Sequence, residues 1–344
     1  MQPITVFDSD AKRRIASRIV VEHLQRAPRD GVWCRALDWI EANRGHFALP
    51  AQARHADDLF PLKALAELAR VGDVMVRQAA LDAGPRARVQ ALLRFAWEQY
   101  REGEVFASVL ASGPWLVVGT MYSIFEANGF SHAGTRERLS RLSSGAPVDA
   151  GLLPRRAVEP SAPAPFGDDA AAVLALGLAL AWRRMGLAGS WSRDRLFPLT
   201  RLARRPDQAS LSEAEAYSLT HVVFFVTDFG LDPEALDAAS RAYLRERCPP
   251  WMDDCARRDD LDLYSELATA LACIGEPLPD AIERVLGAAQ ADDGSLPGPA
   301  LRSRRRLEST TDPARRRFLE RYHTTLAAAL ASFAATVGLF RRAA

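Results

Sequence analysis

His221 and Asp228 stand seven residues apart in Thr220-His-Val-Val-Phe-Phe-Val-Thr-Asp228, a stretch that reads as one helix. Seven residues is almost two helical turns, so an imidazole and a carboxylate fall on one face with Phe225 between them. Such a pair could serve as acid and base or as metal ligands. The plainer alternative is a buried histidine bonded to a backbone carbonyl, with Asp228 serving the helix end. A second histidine motif is Tyr322-His323-Thr324-Thr325. Tyr322 and Thr325 share one side of a helix by their i, i+3 spacing, so His323 and Thr324 project elsewhere. Glu266 lies in the apolar run Tyr264–Ala268. A buried carboxylate is costly unless paired, so Glu266 is either an acid of raised pKa or a structural acceptor. Glu67 is its counterpart in the first half, and two such glutamates favour a structural bond within each half. The candidate catalytic residues are therefore His221, Asp228, His323, Glu266 and Tyr322.

Other constellations carry less. Cys248 and Cys255 are also seven apart, with Asp253 and Asp254 between them. Zinc ligands usually come as close pairs, and no C-x-x-C or H-x-x-x-H is present, while Pro249 and Pro250 interrupt the spacing. Arg302, Arg304, Arg305 and Arg306, with Arg315, Arg316 and Arg317, could clamp an anion but read better as a solvated surface. No aromatic residue interleaves them, which argues against nucleic acid. The sequence has no P-loop, no G-x-G-x-x-G and no G-x-S-x-G. No cofactor and no metal is expected.

The elements that must position these residues are helices. Val89, Leu92, Leu93, Ala96, Trp97 and Tyr100 form one apolar stripe of helical period, with Pro85 at its start. Ser212-Glu-Ala-Glu215 reads as a capping box ahead of a helix over 213–229. Asp232-Pro233 and Asp312-Pro313 each read as an N-cap followed by proline, opening helices over 233–247 and 313–340. Pro279 opens another, with Ile282, Val285, Leu286 and Ala289 on its core face. Gly230 and Gly275 fall where helices end. The strand-like run Val222–Val226 is assigned to helix because the cap precedes it and the glycine follows it. About fifteen helices and no strand are expected.

Composition sets bounds on the whole. The chain has 344 residues, 48% apolar and 25% charged, with net charge +1. That gives ample core and no global field toward nucleic acid or an acidic membrane. Four cysteines make no disulfide framework. Ala170–Trp182 is too short to span a bilayer, and Thr324–Phe340 is rich in alanine, so both read as core helices. The charged N-terminal stretch suggests a cytoplasmic protein without a membrane span. The segment 143–167 holds five prolines and reads as a linker, a lid or a surface loop. Leu59-Phe-Pro-Leu-Lys-Ala-Leu-Ala66 returns as Leu196-Phe-Pro-Leu-Thr-Arg-Leu-Ala203 across that segment. A weaker echo pairs Glu67-Leu-Ala69 with Glu266-Leu-Ala268. Repeated helix pairs suggest a solenoid or a closed ring of hairpins rather than two domains.

Gln290-Ala-Asp-Asp293-Gly294-Ser295-Leu296 resembles the Q-x-x-D-G-S-W motif of the terpenoid cyclase and prenyltransferase α/α toroids, with Leu296 in place of Trp. The resemblance implies a ring of helices in which Gln290 and Asp293 tie an outer helix end to the next turn. The D-x-D-D and D-D-x-x-D motifs of cyclisation are absent, so it implies no terpene chemistry. The wider chain is similar to an uncharacterised helical family. The matching segments are Leu37–Ile40, Leu62–Leu68, Thr220–Gly230, Asp262–Leu267 and Tyr322–Leu326. The expectation is a single all-α domain over 1–344, an α/α toroid with 143–167 as surface loop or lid. Its function would be acid/base catalysis in specialised metabolism, on a small, partly apolar metabolite or peptide in the axial cavity. The alternative is a ligand-binding or scaffold protein for a partner enzyme.

Overall fold

The computed structural model describes residues 31–49, 59–78, 80–100, 103–112, 115–145, 169–189, 191–207, 211–299 and 310–339. Fourteen α-helices and three short 3-10 turns make up its regular structure, and the described residues contain no strand. In chain order the helices are α1 (Val32–Ala42), α2 (Leu59–Val76), α3 (Ala83–Gln99), α4 (Glu104–Ser112), α5 (Trp115–Ala127), α6 (Ala133–Gly145) and α7 (Ala170–Arg184). Two short ones follow, α8 (Arg193–Leu196) and α9 (Arg201–Arg204). Then come α10 (Glu213–Val226), α11 (Ala238–Arg257), α12 (Leu261–Cys273), α13 (Ala281–Ala289) and α14 (Pro313–Thr336).

Local chemistry fixes the ends. At α10 the Ser212 hydroxyl accepts from the Glu215 N–H at 3.4 Å, and the Glu215 carboxylate accepts from the Ser212 N–H at 2.8 Å. Asp312 accepts from the Ala314 N–H at 2.9 Å, with Pro313 at the first helical position. Gly230 and Gly275 take φ of +88° and +83°, the left-handed geometry wanted after a helix. Three expectations shift, and the first is that the helix over 313–340 ends at Thr336. The helix over 213–229 stops at Val226, because Asp228 and Phe229 are themselves left-handed, at φ +53° and +55°. The helix over 233–247 becomes a 3-10 turn, Pro233–Ala235, and then a new start at Ala238. There Asp237 caps α11 by accepting from the Ser240 N–H at 2.8 Å. Helix α11 also continues past Pro249 and Pro250, which lie inside it.

Contacts link α2 to α5, α5 to α7, α7 to α10, α10 to α12, α12 to α14, and α14 back to α2. These six helices run the same way. Asn128, just past α5, donates to Asp73 near the end of α2 at 2.9 Å. Arg184, the last residue of α7, reaches Asp73 at 2.9 Å and Asp228, just past α10. A Cβ on Gly230 would meet the Cα of Cys273 at 3.2 Å and Leu339 at 3.5 Å, so the ends of α12 and α14 lie there too. The helices α3, α4 and α11 pack on α2, α5 and α12 respectively, and both α1 and α13 pack on α14. One contiguous apolar cluster runs from Val32 to Leu339.

The stronger sequence echo has no structural counterpart. Its first copy opens the long helix α2, whereas the second is spread over α8, a 3-10 turn and α9. The weaker echo does: Glu67 and Glu266 occupy α2 and α12, two of the six linked helices. Helix α6 runs to Gly145, into the start of the proline-rich segment, and 146–168 lies outside the described residues. The arginines at 302–306 also lie outside them. No helix among the described residues is long and apolar enough to cross a membrane.

Candidate functional site

Four of the linked helices bring polar side chains together. On α14, His323 places Nδ1 at 2.9 Å from the Glu67 carboxylate of α2 and Nε2 at 3.4 Å from Asp262 of α12. Lys63 sits one turn before Glu67, at 3.4 Å. Asp262 also accepts the Tyr217 hydroxyl of α10 at 2.5 Å. One turn further along α10, His221 Nδ1 lies 2.9 Å from the Tyr217 carbonyl oxygen. On α12, Glu266 accepts the Thr220 hydroxyl at 2.6 Å and stands 3.7 Å from His221 Nδ1. His221, Glu266 and His323 thus share one polar layer, and Lys63, Glu67, Tyr217, Thr220 and Asp262 complete it.

The two imidazoles are held in opposite charge states. A carbonyl can only accept, so His221 Nδ1 carries the proton and Nε2 carries the lone pair. Burial pushes the His221 pKa down to about 4; the Tyr217 carbonyl opposes this, and the His323 and Lys63 cations add to it. His323 has a carboxylate at each nitrogen. Burial opposes its charge, but Asp262 and Glu67 outweigh burial and raise it to about 9. Burial would likewise raise Glu67, but His323 and Lys63 hold it at about 2. The side chains of His221 and His323 keep 27% and 29% of their surface exposed, so solvent reaches both rings and moderates these shifts.

Asp228 is elsewhere. Its carboxylate accepts from Arg184 Nε at 3.0 Å and Arg77 Nη1 at 3.2 Å, and Arg183 stands 3.6 Å away. Asp73, fully buried, shares Arg184 and Arg77. Cations gather here because the carbonyl ends of the linked helices converge on this side. The seven-residue spacing from His221 fails because the chain leaves helical geometry at Val226. The strained residues after it are anchored: Asp228 by arginines, and Phe229 by stacking on Phe224 at 5.1 Å with Arg70 over its ring at 4.8 Å.

Tyr322 is a core residue, stacked on Phe318 at 5.1 Å and facing away from His323's partners. Thr325 accepts from the Leu296 N–H at 3.0 Å on that same side. Cys248 and Cys255 are buried along α11, and burial pushes both thiols up, Cys255 to about 12. Among the described residues no group of three or more His, Cys, Asp or Glu is arranged to hold a metal. Arg315 donates to the His46 carbonyl and lies over Phe318 at 5.1 Å, while Arg316 pairs with Glu320 at 3.3 Å. Gln290 donates to the carbonyls of Val32 at 3.0 Å and Gly294 at 2.8 Å, and Asp293 accepts the Ser295 hydroxyl at 2.6 Å. These bonds tie the end of α13 to α1 and to the next turn.

Two clefts open among the described residues, and neither is lined by a histidine, although the Phe225 ring of the second stands 5.8 Å from the His221 ring. One, of 540 Å³, lies at the helix ends around Gly230, Gly275 and Gly338. The other, of 250 Å³, lies between α7 and α10.

An all-helical chain with a layer of ionisable groups among its linked helices defines the class. The chain belongs to the DUF6895 family, a domain of unknown function, whose profile matches residues 34–333. Neither a curated protein nor a solved structure matches it.

Proposed function

We propose that this protein is an enzyme of specialised metabolism. It would use acid/base chemistry on a small, partly apolar metabolite or peptide, held in the axis of an α/α toroid built as one domain. The closed cycle of helix contacts and the tie made by Gln290 and Asp293 support the toroid. The observation that carries the chemistry is the pair of histidines in a single layer reachable by solvent, one bonded through Nδ1 to a backbone carbonyl and the other set between two carboxylates.

His221 is the base. Its Nδ1 proton is committed to the Tyr217 carbonyl, which directs the Nε2 lone pair to accept a substrate proton. Its conjugate acid is strong, so His221 returns that proton readily, and an anionic intermediate beside it raises its basicity. His323 is the electrophilic partner. At neutral pH its cation is stable, so it hands a proton only to a strongly basic oxygen or nitrogen and otherwise stabilises developing negative charge. Glu67 and Asp262 hold the ring's orientation, and Tyr217 and Thr220 fix Asp262 and Glu266.

That neither histidine lines either cleft favours a second reading, a ligand-binding or scaffold protein for a partner enzyme. One experiment separates the two. The protein is incubated with a metabolite extract, and small molecules are followed by mass spectrometry. The enzyme reading expects at least one compound consumed by the wild type and spared by His221→Ala of unchanged thermal midpoint. Retention of a compound without consumption supports the binding reading.

A further inference from the structure

The cleft between α7 and α10 has a composition of its own. Leu176, Leu180, Trp191 and Phe225 give it apolar walls, and Arg183 and Arg193 contribute its cations. Arg183 is half exposed, at 47%, and the carboxylate of Asp228 is 3.6 Å away, outside hydrogen-bond reach. Asp228 is already engaged by Arg184 and Arg77. Arg193 pairs with the adjacent Asp194 at 3.3 Å, but that carboxylate is 83% exposed, and such a pair is weak. The cleft therefore presents one guanidinium fork not hydrogen-bonded within the described residues, and a second held loosely, above an aromatic and aliphatic surface.

We propose that this cleft binds a small carboxylate with an apolar body of about one ring. A guanidinium matches a carboxylate bidentately, and Trp191 and Phe225 offer faces for a ring. The volume of 250 Å³ is below that of drug-sized ligand sites, which limits the guest to a ring with a short acid arm. The cleft adjoins the histidine layer through Phe225, whose ring stands 5.8 Å from that of His221, but no side chain of that layer lines it, and its occupancy does not require turnover.

The test is calorimetric titration of the full chain with phenylacetate, with 2-phenylethylamine as the same body of opposite charge. Saturable binding of the acid alone is expected. Arg183→Gln is expected to weaken it about tenfold or more, the loss of a charge-assisted bond. Ala179→Leu, which fills the cleft, is expected to abolish it. Arg193→Gln, at a half-buried position ion-paired with the exposed Asp194, is expected to weaken it with the thermal midpoint unchanged, and keeps the test readable if either other variant unfolds. Equal binding of acid and amine would overturn the proposal, as would unchanged affinity in the folded variants or no saturable binding of the acid.

Discussion

Glu67 and His323, 256 residues apart in the chain, meet at 2.9 Å across the contact between α2 and α14. The bond closes the cycle of helices with a charged pair rather than with apolar packing alone. Its pKa effects are reciprocal, since each partner stabilises the other's ionised form.

That reciprocity gives stability a definite pH dependence. His323 is raised to about 9 from 6.5, so its contribution is complete below pH 6.5 and is lost as pH climbs toward 9. His221 is depressed to about 4, so its contribution is present above pH 6.5 and is lost as pH falls toward 4. Glu67 adds to the acid limb between pH 4.5 and about 2. Thermal melts from pH 4 to 10 are expected to peak near neutrality. His323→Gln should flatten the alkaline limb between pH 6.5 and 9, and should also soften the acid limb, since it removes the cation that holds Glu67 down and helps depress His221.

Asp228 is a structural anchor. It and Arg184 are each only 7% exposed, and removing one member of a buried pair strands the other. Asp228→Asn keeps a side chain that tolerates the left-handed turn and removes the charge. A loss of about 3 kcal/mol in denaturant unfolding is expected. The His221 titration should not move; a clear shift would return Asp228 to the histidine site.

Gly294 supports the tie between α13 and α1. Its φ is +90°, and a Cβ there would overlap the Arg35 carbonyl oxygen. Gly294→Ala is expected to destabilise the chain by at least about 1–3 kcal/mol, the cost of such backbone strain. The histidine pKa values should be unchanged, as measured by the same titration.

The helices were legible because their signals are local. The box at Ser212, the cap at Asp312 and the glycines at 230 and 275 act within a few residues. His221, Glu266 and His323 were legible as charge in apolar surroundings. Their grouping was not, since Glu67 to His323 and Tyr217 to Asp262 are bonds between helices far apart in sequence. Lys63, Glu67 and Arg70, spaced i, i+4, i+7 on an apolar helix, were the missed signal for an inward polar stripe. Asp262 lies in a helix whose every residue is buried, and that burial is set by the surrounding helices rather than by its own periodicity. Asp228 misled because seven residues place two groups on one face only while the helix continues.

The most direct measurement is a pH titration of the imidazole nitrogens by NMR in the wild type, with His221→Gln and His323→Gln for assignment. His323 is predicted to stay doubly protonated at pH 7 and to titrate near 9, and His221 to be neutral with its proton on Nδ1 and to titrate near 4. Glu67→Gln should bring His323 down toward 6.5. Two histidines that both titrate near 6.5, indifferent to Glu67, would contradict the account.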